Sequence, residues 1–286
     1  MKLLPHSEIE ISKICNESLL NNQNLYTPQK LPNYSALAYV YDTLMEDVNY
    51  EAWADYLDEL IQIHAPEAEK ILELGCGTGS VALSLDELGY YDITATDKSP
   101  EMIGMAKKKE AGVGSNVKFE VADFLDLQLD ETFDLAFLVF DSVNYLHTSE
   151  EIRTLLMQAG SVLKPGGLFI FDFTTPKNSR KAIQYLHREE GISPDNYRFY
   201  RTSNFDGKSR IHTNEFHIEQ LSRDRKEVLA SFTETHKQKA YTLKEIEPVI
   251  SGTPFQTVSS YADFGLDKPT RKSLRITLVC QWPTTQ

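Results

Sequence analysis

Three glycines at alternate positions follow a short apolar segment and form the most specific chemical signal in the chain. The segment reads ILELGCGTGS, so a buried strand is predicted to run directly into Gly75, Gly77 and Gly79. Glycine-rich turns let a backbone approach phosphates or adenosine compounds closely, and the spacing decides between them. A dinucleotide fingerprint has its third glycine one position later, where Ser80 stands, and a phosphate loop needs a lysine that this turn lacks. The turn therefore argues against nicotinamide and ATP phosphates.

Acidic and aromatic residues accompany the turn at positions that suit a different ligand. Glu73 precedes the glycines by two residues, where its charge would repel a pyrophosphate but attract a cation. Asp97 ends the next predicted strand, where a carboxylate accepts hydrogen bonds from ribose hydroxyls. Asp123 and Phe124 follow the third strand and offer an acceptor for an exocyclic amine and a ring to pack on a base. Together they predict a positively charged adenosine ligand.

Short apolar segments alternate with helical patterns through the middle of the chain. They are rich in Ile, Val, Leu and Phe, and the intervals between them are long enough for crossover helices. This rhythm is typical of a doubly wound parallel sheet. The predicted strands span 70–74, 92–96, 117–121, 133–139 and 168–173. Two amphipathic helices are predicted before them, within 34–64, from apolar residues at helical spacing.

The rhythm changes after residue 174. A helix is predicted near 177–187, and 196–240 alternates with the period of antiparallel strands. A further helix at 242–250 and two strands then complete the main sheet. The predicted fold is α/β, a Rossmann-like, doubly wound, mostly parallel seven-stranded sheet with an inserted antiparallel β-sheet as a lid over the acceptor. The predicted parts are an N-terminal arm (1–33), a core (34–175 and 241–286) and the insertion (176–240).

Composition excludes several classes of protein. The 286 residues carry a formal charge of -13, which disfavours nucleic acid as a partner, and a small-molecule partner is the better expectation. No apolar segment approaches the roughly 18 residues of a membrane span, and the N-terminus does not resemble a signal peptide. Three widely separated cysteines indicate neither a metal site nor a disulfide framework, so we expect a cytoplasmic protein without a metal.

Four motifs occur in order: ELGCGTG, TDKSPEMI (96–103), ADFLDL (122–127) and LKPGG (163–167). This series resembles the class I S-adenosylmethionine-dependent methyltransferases, closely over about 34–173. FDSVNYL (140–146) and the β insertion are similar to the small-molecule branch, which includes amino-sugar and glycine N-methyltransferases. The resemblance implies S-adenosylmethionine as cofactor and in-line transfer of its methyl group to nitrogen or oxygen of a small molecule.

The resemblance also implies which residues bind the cofactor. The methionine part would lie at the glycine turn, the ribose and adenine after the second and third strands, and the reactive methyl above the loop that follows the fourth strand. The implied residues are Tyr41, Glu73, Gly75, Cys76, Gly77, Thr78, Gly79, Asp97, Lys98, Met102, Asp123, Phe124, Phe140, Asp141 and Ser142.

A base near the methyl group would help an amine or a hydroxyl acceptor to lose its proton. Among the seven histidines, His212 and His147 are the predicted catalytic residues, against the alternative that each is only structural. Alternation places Arg210, His212, Asn214 and Phe216 on one face of a predicted strand and His217 on the other.

The insertion is more basic than the rest of the chain. Residues 174–240 hold 13 Lys and Arg against 9 Asp and Glu. This excess is typical either of a solvated sheet surface or of a lid that attracts an acidic acceptor. In the second case Lys177, Arg180 and Arg210 would contact it.

Two other functions compete with a small-molecule methyltransferase. A sensor or partner subunit that binds S-adenosylmethionine without transferring the methyl group would keep the same cofactor motifs. A nucleic-acid or protein methyltransferase is disfavoured, because FDSV stands where an Asp-Pro-Pro-Tyr-like tetrad would be expected. The assembly stays open, a homodimer included.

The ribose assignment generates a first prediction. Asp97→Ala should weaken cofactor binding by about 1.5 to 3 kcal/mol, the range for a hydrogen bond to a charged group. Isothermal titration calorimetry with S-adenosylhomocysteine measures the loss. Unchanged affinity would remove Asp97 from the site.

Overall fold

The computed structural model describes residues 27–284. A seven-stranded sheet forms the centre of the fold. The strands β2 to β6 pair in parallel, and β12 runs antiparallel to both of its neighbours, β6 and β11. The predicted mostly parallel seven-stranded sheet is therefore confirmed. In spatial order the strands are β11 (Gln256–Ala262), β12 (Arg275–Gln281), β6 (Leu163–Thr174), β5 (Phe133–Leu138), β2 (Lys70–Leu74), β3 (Asp92–Asp97) and β4 (Lys118–Val121).

Helices cover both faces of this sheet because successive strand residues point to opposite sides. On one face Ile71 packs with Leu57 and Ile103, and on the other Leu72 packs with Leu155 and Ile250. All are nearly or fully buried, so each strand reads as a continuous apolar segment. The helices are α1 (Tyr41–Leu44), α2 (Tyr50–His64), α3 (Ser80–Asp86), α4 (Pro100–Val113), α5 (Ser149–Ser161), α6 (Pro176–Leu186) and α7 (Leu243–Ser251).

The strand order reverses between β2 and β5. From β2 the chain winds outwards through β3 to β4, then returns to β5 on the other side of β2. Ligands of open α/β sheets bind in the crevice that such a reversal leaves at the carboxyl ends of the strands. Ser99 begins α4 beside this crevice, where its hydroxyl accepts from the Met102 N–H at 3.1 Å.

A second, five-stranded sheet contains the predicted antiparallel insertion, because four of its strands follow α6. Its pairs are antiparallel except that β1 runs parallel to β10. The order is β1 (Gln29–Lys30), β10 (Val228–Lys239), β9 (Ile211–Leu221), β8 (Tyr197–Asp206) and β7 (Glu189–Ile192). The short strands β1 and β7 carry too few residues to show an alternation, which explains why the sequence did not predict them.

The segment before α2 differs from the prediction of two full helices. It forms a 3₁₀ turn, Leu37–Tyr39, and the single-turn α1, separated by Val40 in a non-helical conformation (φ -120°). Ala36, Leu37 and Val40 are buried, and they pack against Phe199, Phe216 and Ile218 of the inserted sheet. Of the predicted N-terminal arm, residues 1–26 lie outside the described part of the chain, while 29–30 form β1.

Arg210 also departs from its predicted strand. It lies in the turn before β9 with φ 60°, and its guanidinium pairs with Glu245. His212, Asn214 and Phe216 do share one buried face, and His217 points to the other, where its Nε2 lies 2.7 Å from the Ser231 hydroxyl.

The start of α3 generates a prediction about packing. Gly79 has φ 78°, and a Cβ there would lie 2.6 Å from the ring of Phe119 and 3.1 Å from Ala106. Gly89 has a similar φ of 76° but open space around it. Gly79→Ala should therefore lower the free energy of unfolding by about 1 to 3 kcal/mol more than Gly89→Ala does, because only the first overpacks the core. Urea unfolding of both variants gives the difference, and equal losses would contradict the packing argument.

Candidate functional site

The glycine turn bends the backbone sharply at the carboxyl end of β2. Gly75 and Gly77 have φ of 64° and 55°, conformations that favour glycine. A Cβ on Gly75 would lie 3.4 Å from Ser142 Oγ, so the turn passes close to the loop after β5. Thr78 donates to Asp42 Oδ1 at 2.6 Å and ties α1 to the turn.

A cavity of about 580 Å³ lies at the sheet reversal. Its walls are the carboxyl ends of β2, β3 and β5, the loop after β4, and the segment 32–41, which crosses above them. Thirteen of the fifteen residues predicted to bind the cofactor line it: Tyr41, Glu73, Gly75, Cys76, Gly77, Thr78, Asp97, Lys98, Met102, Asp123, Phe124, Phe140 and Ser142.

The other two, Gly79 and Asp141, do not line the cavity. Gly79 faces Phe119 in the core, where it allows α3 to begin close to β4. Asp141 follows Phe140 in the loop after β5, but its carboxylate turns away and forms an ion pair with Arg275 at 2.6 Å. Both residues shape the site from outside it.

Asp97 is held in a fixed orientation at the end of β3. Its Oδ2 accepts from the Gly77 N–H at 2.9 Å and its Oδ1 from the Ser99 N–H at 2.8 Å. Burial raises the pKa of this carboxyl above its ordinary value, while the two backbone donors oppose the shift. The carboxylate therefore joins the glycine turn to the start of α4.

Glu73 is a buried acid without a partner for one of its oxygens. Its side chain comes from β2, the residue is 2% exposed, and Oε2 has no hydrogen-bond partner. Burial, followed by the negative charge of Asp97, raises the pKa of Glu73 to about 8. An unpaired buried carboxyl is costly, and a cationic group in the cavity would supply the missing partner.

A charged pair, Lys98 and Asp123, also lines the cavity. Lys98 Nζ lies 2.6 Å from Asp123 Oδ2, and Asp123 Oδ1 accepts from the Leu125 N–H at 3.0 Å. The ring of Phe124 lies beside Gly75, where an added Cβ would be 3.8 Å from it. A planar group could pack here between an aromatic ring and a carboxylate.

The floor of the cavity rests on a buried cation. Phe140 has φ 60° and stacks on Trp53 with ring centroids 4.3 Å apart. The guanidinium of Arg275, on β12, lies over the Trp53 ring at 5.2 Å from its centroid. It also pairs with Asp141 and Asp172. Burial alone would lower the pKa of Arg275, but the two carboxylates outweigh it and raise the pKa.

Several known proteins are similar to this chain in sequence and in fold. A family described as "Methyltransferase domain" matches residues 71–167, which contain the glycine turn and the sheet reversal. A solved S-adenosylmethionine-dependent methyltransferase from Clostridium acetobutylicum has 25% sequence identity and a TM-score of 0.69, over 87% of this chain and 99% of that one. The chain is a class I S-adenosylmethionine-dependent methyltransferase.

Two curated relatives extend the comparison. The methyltransferase is 29% identical over 247 residues to the putative methyltransferase YqeM of Bacillus subtilis. The aligned region covers 85% of this chain and 94% of the relative. It is also 29% identical over 124 residues to the dTDP-3-amino-3,4,6-trideoxy-alpha-D-glucopyranose N,N-dimethyltransferase of Streptomyces venezuelae, covering 43% of this chain and 50% of that one.

The cavity of the methyltransferase fits this cofactor. The unpartnered Glu73 carboxyl suits a ligand that carries positive charge, and the glycine turn leaves room where side chains would intrude. Asp97 keeps lone pairs beyond those used by Gly77 and Ser99, which vicinal hydroxyls could use.

The two predicted catalytic histidines lie away from the cavity lining. His147 precedes α5, and its Nε2 lies 3.0 Å from the carbonyl oxygen of Lys237. His212 is buried on β9 with Nε2 unpartnered, and burial followed by the charge of Arg201 lowers its pKa. His236 of β10 instead reaches the cavity wall, because its Nδ1 lies 2.9 Å from the hydroxyl of Tyr145.

The basic residues proposed from the sequence for an acidic acceptor are occupied elsewhere. Arg210 pairs with Glu245, Lys177 donates to the Lys272 carbonyl at 2.7 Å, and Arg180 lies over the ring of Phe205. The observation favours the solvated-surface interpretation of the basic excess.

Among residues 27–284, no group of three or more His, Cys, Asp or Glu is arranged to hold a metal ion. None of the helices described there combines the length and the apolar character needed to span a bilayer.

The raised pKa of Glu73 predicts how cofactor affinity depends on pH. The acid must lose its proton to pair with a cation, so binding should strengthen as the pH rises towards 8 and should release a proton. Between pH 6 and 7.5 the affinity for S-adenosylmethionine should rise close to about ten-fold per pH unit.

Calorimetry in buffers of different ionisation enthalpy measures both effects. Glu73→Gln keeps the shape of the side chain and should abolish the pH dependence and the proton release. Glu69→Gln, an exposed position just before the same strand, is the matched control and should retain them. A pH-independent affinity in the wild-type protein would show that Glu73 does not meet the cofactor's charge.

Proposed function

We propose that the methyltransferase transfers the methyl group to a nitrogen or oxygen of a small molecule. The observation that carries the proposal is the enclosure of the cofactor residues within one cavity of about 580 Å³. Segment 32–41 and the 3₁₀ turn Ser142–Tyr145 both contribute to its walls. A cavity of this size, bordered by both of these segments, suits a cofactor with a small acceptor better than a polymer. The formal charge of -13 also disfavours a nucleic-acid acceptor.

The proposed cofactor pose follows the order of groups along the cavity. The methionine part lies at the glycine turn with its ammonium near Glu73, and the ribose hydroxyls donate to Asp97. The adenine packs on Phe124, with its amine directed at Asp123. Phe140 and Ser142 then border the methyl group, while Gly79 and Asp141 act only as supports.

The chain's own residues align the acceptor and exclude water. Bound S-adenosylmethionine supplies a methyl group on a positively charged sulfur. An in-line displacement needs the acceptor's lone pair opposite the carbon–sulfur bond, so positioning is the main requirement. The rings of Tyr34, Tyr41, Tyr50 and Phe140 line this region and keep it apolar.

An amine is the first acceptor to test. The relative from Streptomyces venezuelae is described as an N,N-dimethyltransferase of an amino sugar, and this chain matches about half of it. We also infer a reducing compartment such as the cytoplasm, since Cys76 and Cys280 are buried free thiols.

The test combines binding with turnover. Calorimetric titration should show saturable binding of S-adenosylmethionine and S-adenosylhomocysteine and none of NADH. Formation of S-adenosylhomocysteine is then measured with a dTDP-linked 3-aminohexose, 3-amino-3-deoxyglucose, ethanolamine and catechol, and methylated products are located by mass spectrometry. Asp97→Asn, which keeps the size of the side chain but leaves an acceptor for only one of the two backbone amides, is the expected inactive control.

A non-catalytic sensor gives a different result in the same experiment. It would bind both adenosyl compounds but form no S-adenosylhomocysteine with any member of the panel. A product methylated at carbon would contradict the nitrogen or oxygen assignment and leave the methyltransferase class intact.

A further inference from the structure

Four side chains form a continuous line of hydrogen bonds from the cavity into the inserted sheet. The hydroxyls of Tyr34 and Tyr145 lie 2.6 Å apart, and Tyr145 Oη lies 2.9 Å from His236 Nδ1. His236 Nε2 lies 3.0 Å from Glu234 Oε2. Both tyrosines line the cavity, whereas the side chains of His236 and Glu234 are 1% and 0% exposed.

The partners of Glu234 determine the direction of these hydrogen bonds. Its carboxylate also accepts from the backbone N–H groups of Tyr34, Ala36 and Leu37 at 2.6 to 2.9 Å. Because all of its other partners are donors, we assign the proton of the neutral imidazole to Nε2, which donates to Glu234. Nδ1 then carries a free lone pair, so Tyr145 must be the donor to it.

The two tyrosines complete a directed line. Since the Tyr145 proton points to His236, its oxygen accepts from Tyr34, and the Tyr34 oxygen keeps a lone pair for a group in the cavity. Burial raises the pKa of both phenols above their ordinary value. Each therefore stays protonated near neutral pH and passes a proton on instead of releasing it to solvent.

We propose that this line is a proton relay in which Tyr34, Tyr145 and His236 take up the proton that the methyl acceptor loses. The proposal rests on the proposed function, since the proton that it moves comes from the nitrogen or oxygen that accepts the methyl group. Glu234 alone would be enough to hold segment 32–41 in place. His236, Tyr145 and Tyr34 add hydrogen bonds that this structural role does not require, and these lead to the cavity.

The step balances in atoms and charge. The acceptor's lone pair forms a bond to the methyl carbon as the carbon–sulfur bond breaks, and that electron pair stays on sulfur. The acceptor proton passes to Tyr34, the Tyr34 proton to Tyr145, and the Tyr145 proton to His236 Nδ1. The resulting imidazolium is paired with Glu234 and returns its proton to solvent by the same line after the product leaves.

Charged and aromatic groups surround the relay. Glu234 faces the imidazole from its own strand, and Asp97 and Asp141 act on Tyr34 from the core. Arg201 of β8 is a cation close enough to Tyr145 for the two to interact electrostatically, and it forms an ion pair with Glu189. Phe216 and Tyr34 close the remaining sides of the imidazole with their rings.

The kinetic test uses the panel member with the highest wild-type kcat/KM. Tyr145→Phe and His236→Gln should lower kcat/KM at pH 7 by about 100-fold, as expected for lost general-base catalysis. The deficit should shrink at pH 9.5, where more of the acceptor is already unprotonated in solution. Affinity for S-adenosylhomocysteine should stay unchanged, because neither side chain is assigned to the cofactor.

Matched controls separate the relay from general damage. Tyr185→Phe removes an exposed hydroxyl on α6, and His217→Gln alters the opposite face of β9, so both should keep wild-type kinetics at either pH. If Tyr145→Phe does not fold, Tyr34→Phe interrupts the line one hydroxyl further out. A deficit that is the same at pH 7 and pH 9.5 would overturn the relay, because a merely structural defect is not rescued by pH.

A second measurement needs no acceptor. In protein with ¹⁵N-labelled histidine, the His236 signals are assigned by their loss in His236→Gln. At pH 7.5 we expect Nε2 protonated and Nδ1 unprotonated, with Tyr145→Phe shifting Nδ1. A protonated Nδ1 would overturn the relay even if transfer is observed. Binding without transfer to any panel member would instead refute the proposed function, so the two failures are distinguishable.

Discussion

The buried carboxylate of Glu234 is the contact on which the arrangement of the site depends. It binds three backbone N–H groups of the segment that crosses the cavity and one imidazole of its own strand. A carboxylate buried without these donors would be strongly unfavourable, and so would three backbone amides without an acceptor. The cavity wall formed by 32–41 and the inserted sheet therefore adopt their positions together. This coupling explains why a sheet remote in sequence borders this cavity.

Inside the cavity, electrostatics select the ligand. Glu73 and Asp97 lie at the carboxyl ends of neighbouring strands. Burial raises the pKa of both acids, and the charge of Asp97 raises the pKa of Glu73 further. Like charges in one crevice are tolerated when backbone donors or a cationic ligand compensate them. Asp97 has backbone donors on both oxygens, whereas Glu73 keeps one oxygen without any. A ligand with a positive charge at one end and hydroxyls beside it satisfies both acids.

The part of the cavity lining that depends on local order could be predicted from the sequence, whereas contacts that depend on strand register could not. The glycine turn, Glu73 and Asp97 are positioned by adjacent strands, so their spacing and the family resemblance were enough to predict that they lie together. His212 and His236 share one face of the inserted sheet, since His236 pairs opposite Asn214 and His212 opposite Gln238. That offset is two residues, about 7 Å along a strand, and it decides which imidazole reaches Tyr145. Nothing in the local pattern of either strand specifies it.

The order in which the chain is synthesised determines when the support beneath Phe140 and Asp141 can form. Arg275, which joins Asp141 to Asp172 beneath the cavity floor, follows Asp172 by 103 residues. At the usual pace of translation this interval lasts about 5 to 20 s, and Glu234 likewise follows Tyr34 by 200 residues. The nascent chain therefore carries all of its glycine turn and sheet reversal before either wall of the cavity can close. During that interval the half-built crevice exposes apolar strands, and Asp141 and Asp172 lack their shared partner Arg275. Transiently exposed apolar surface of this kind makes a nascent chain prone to aggregation.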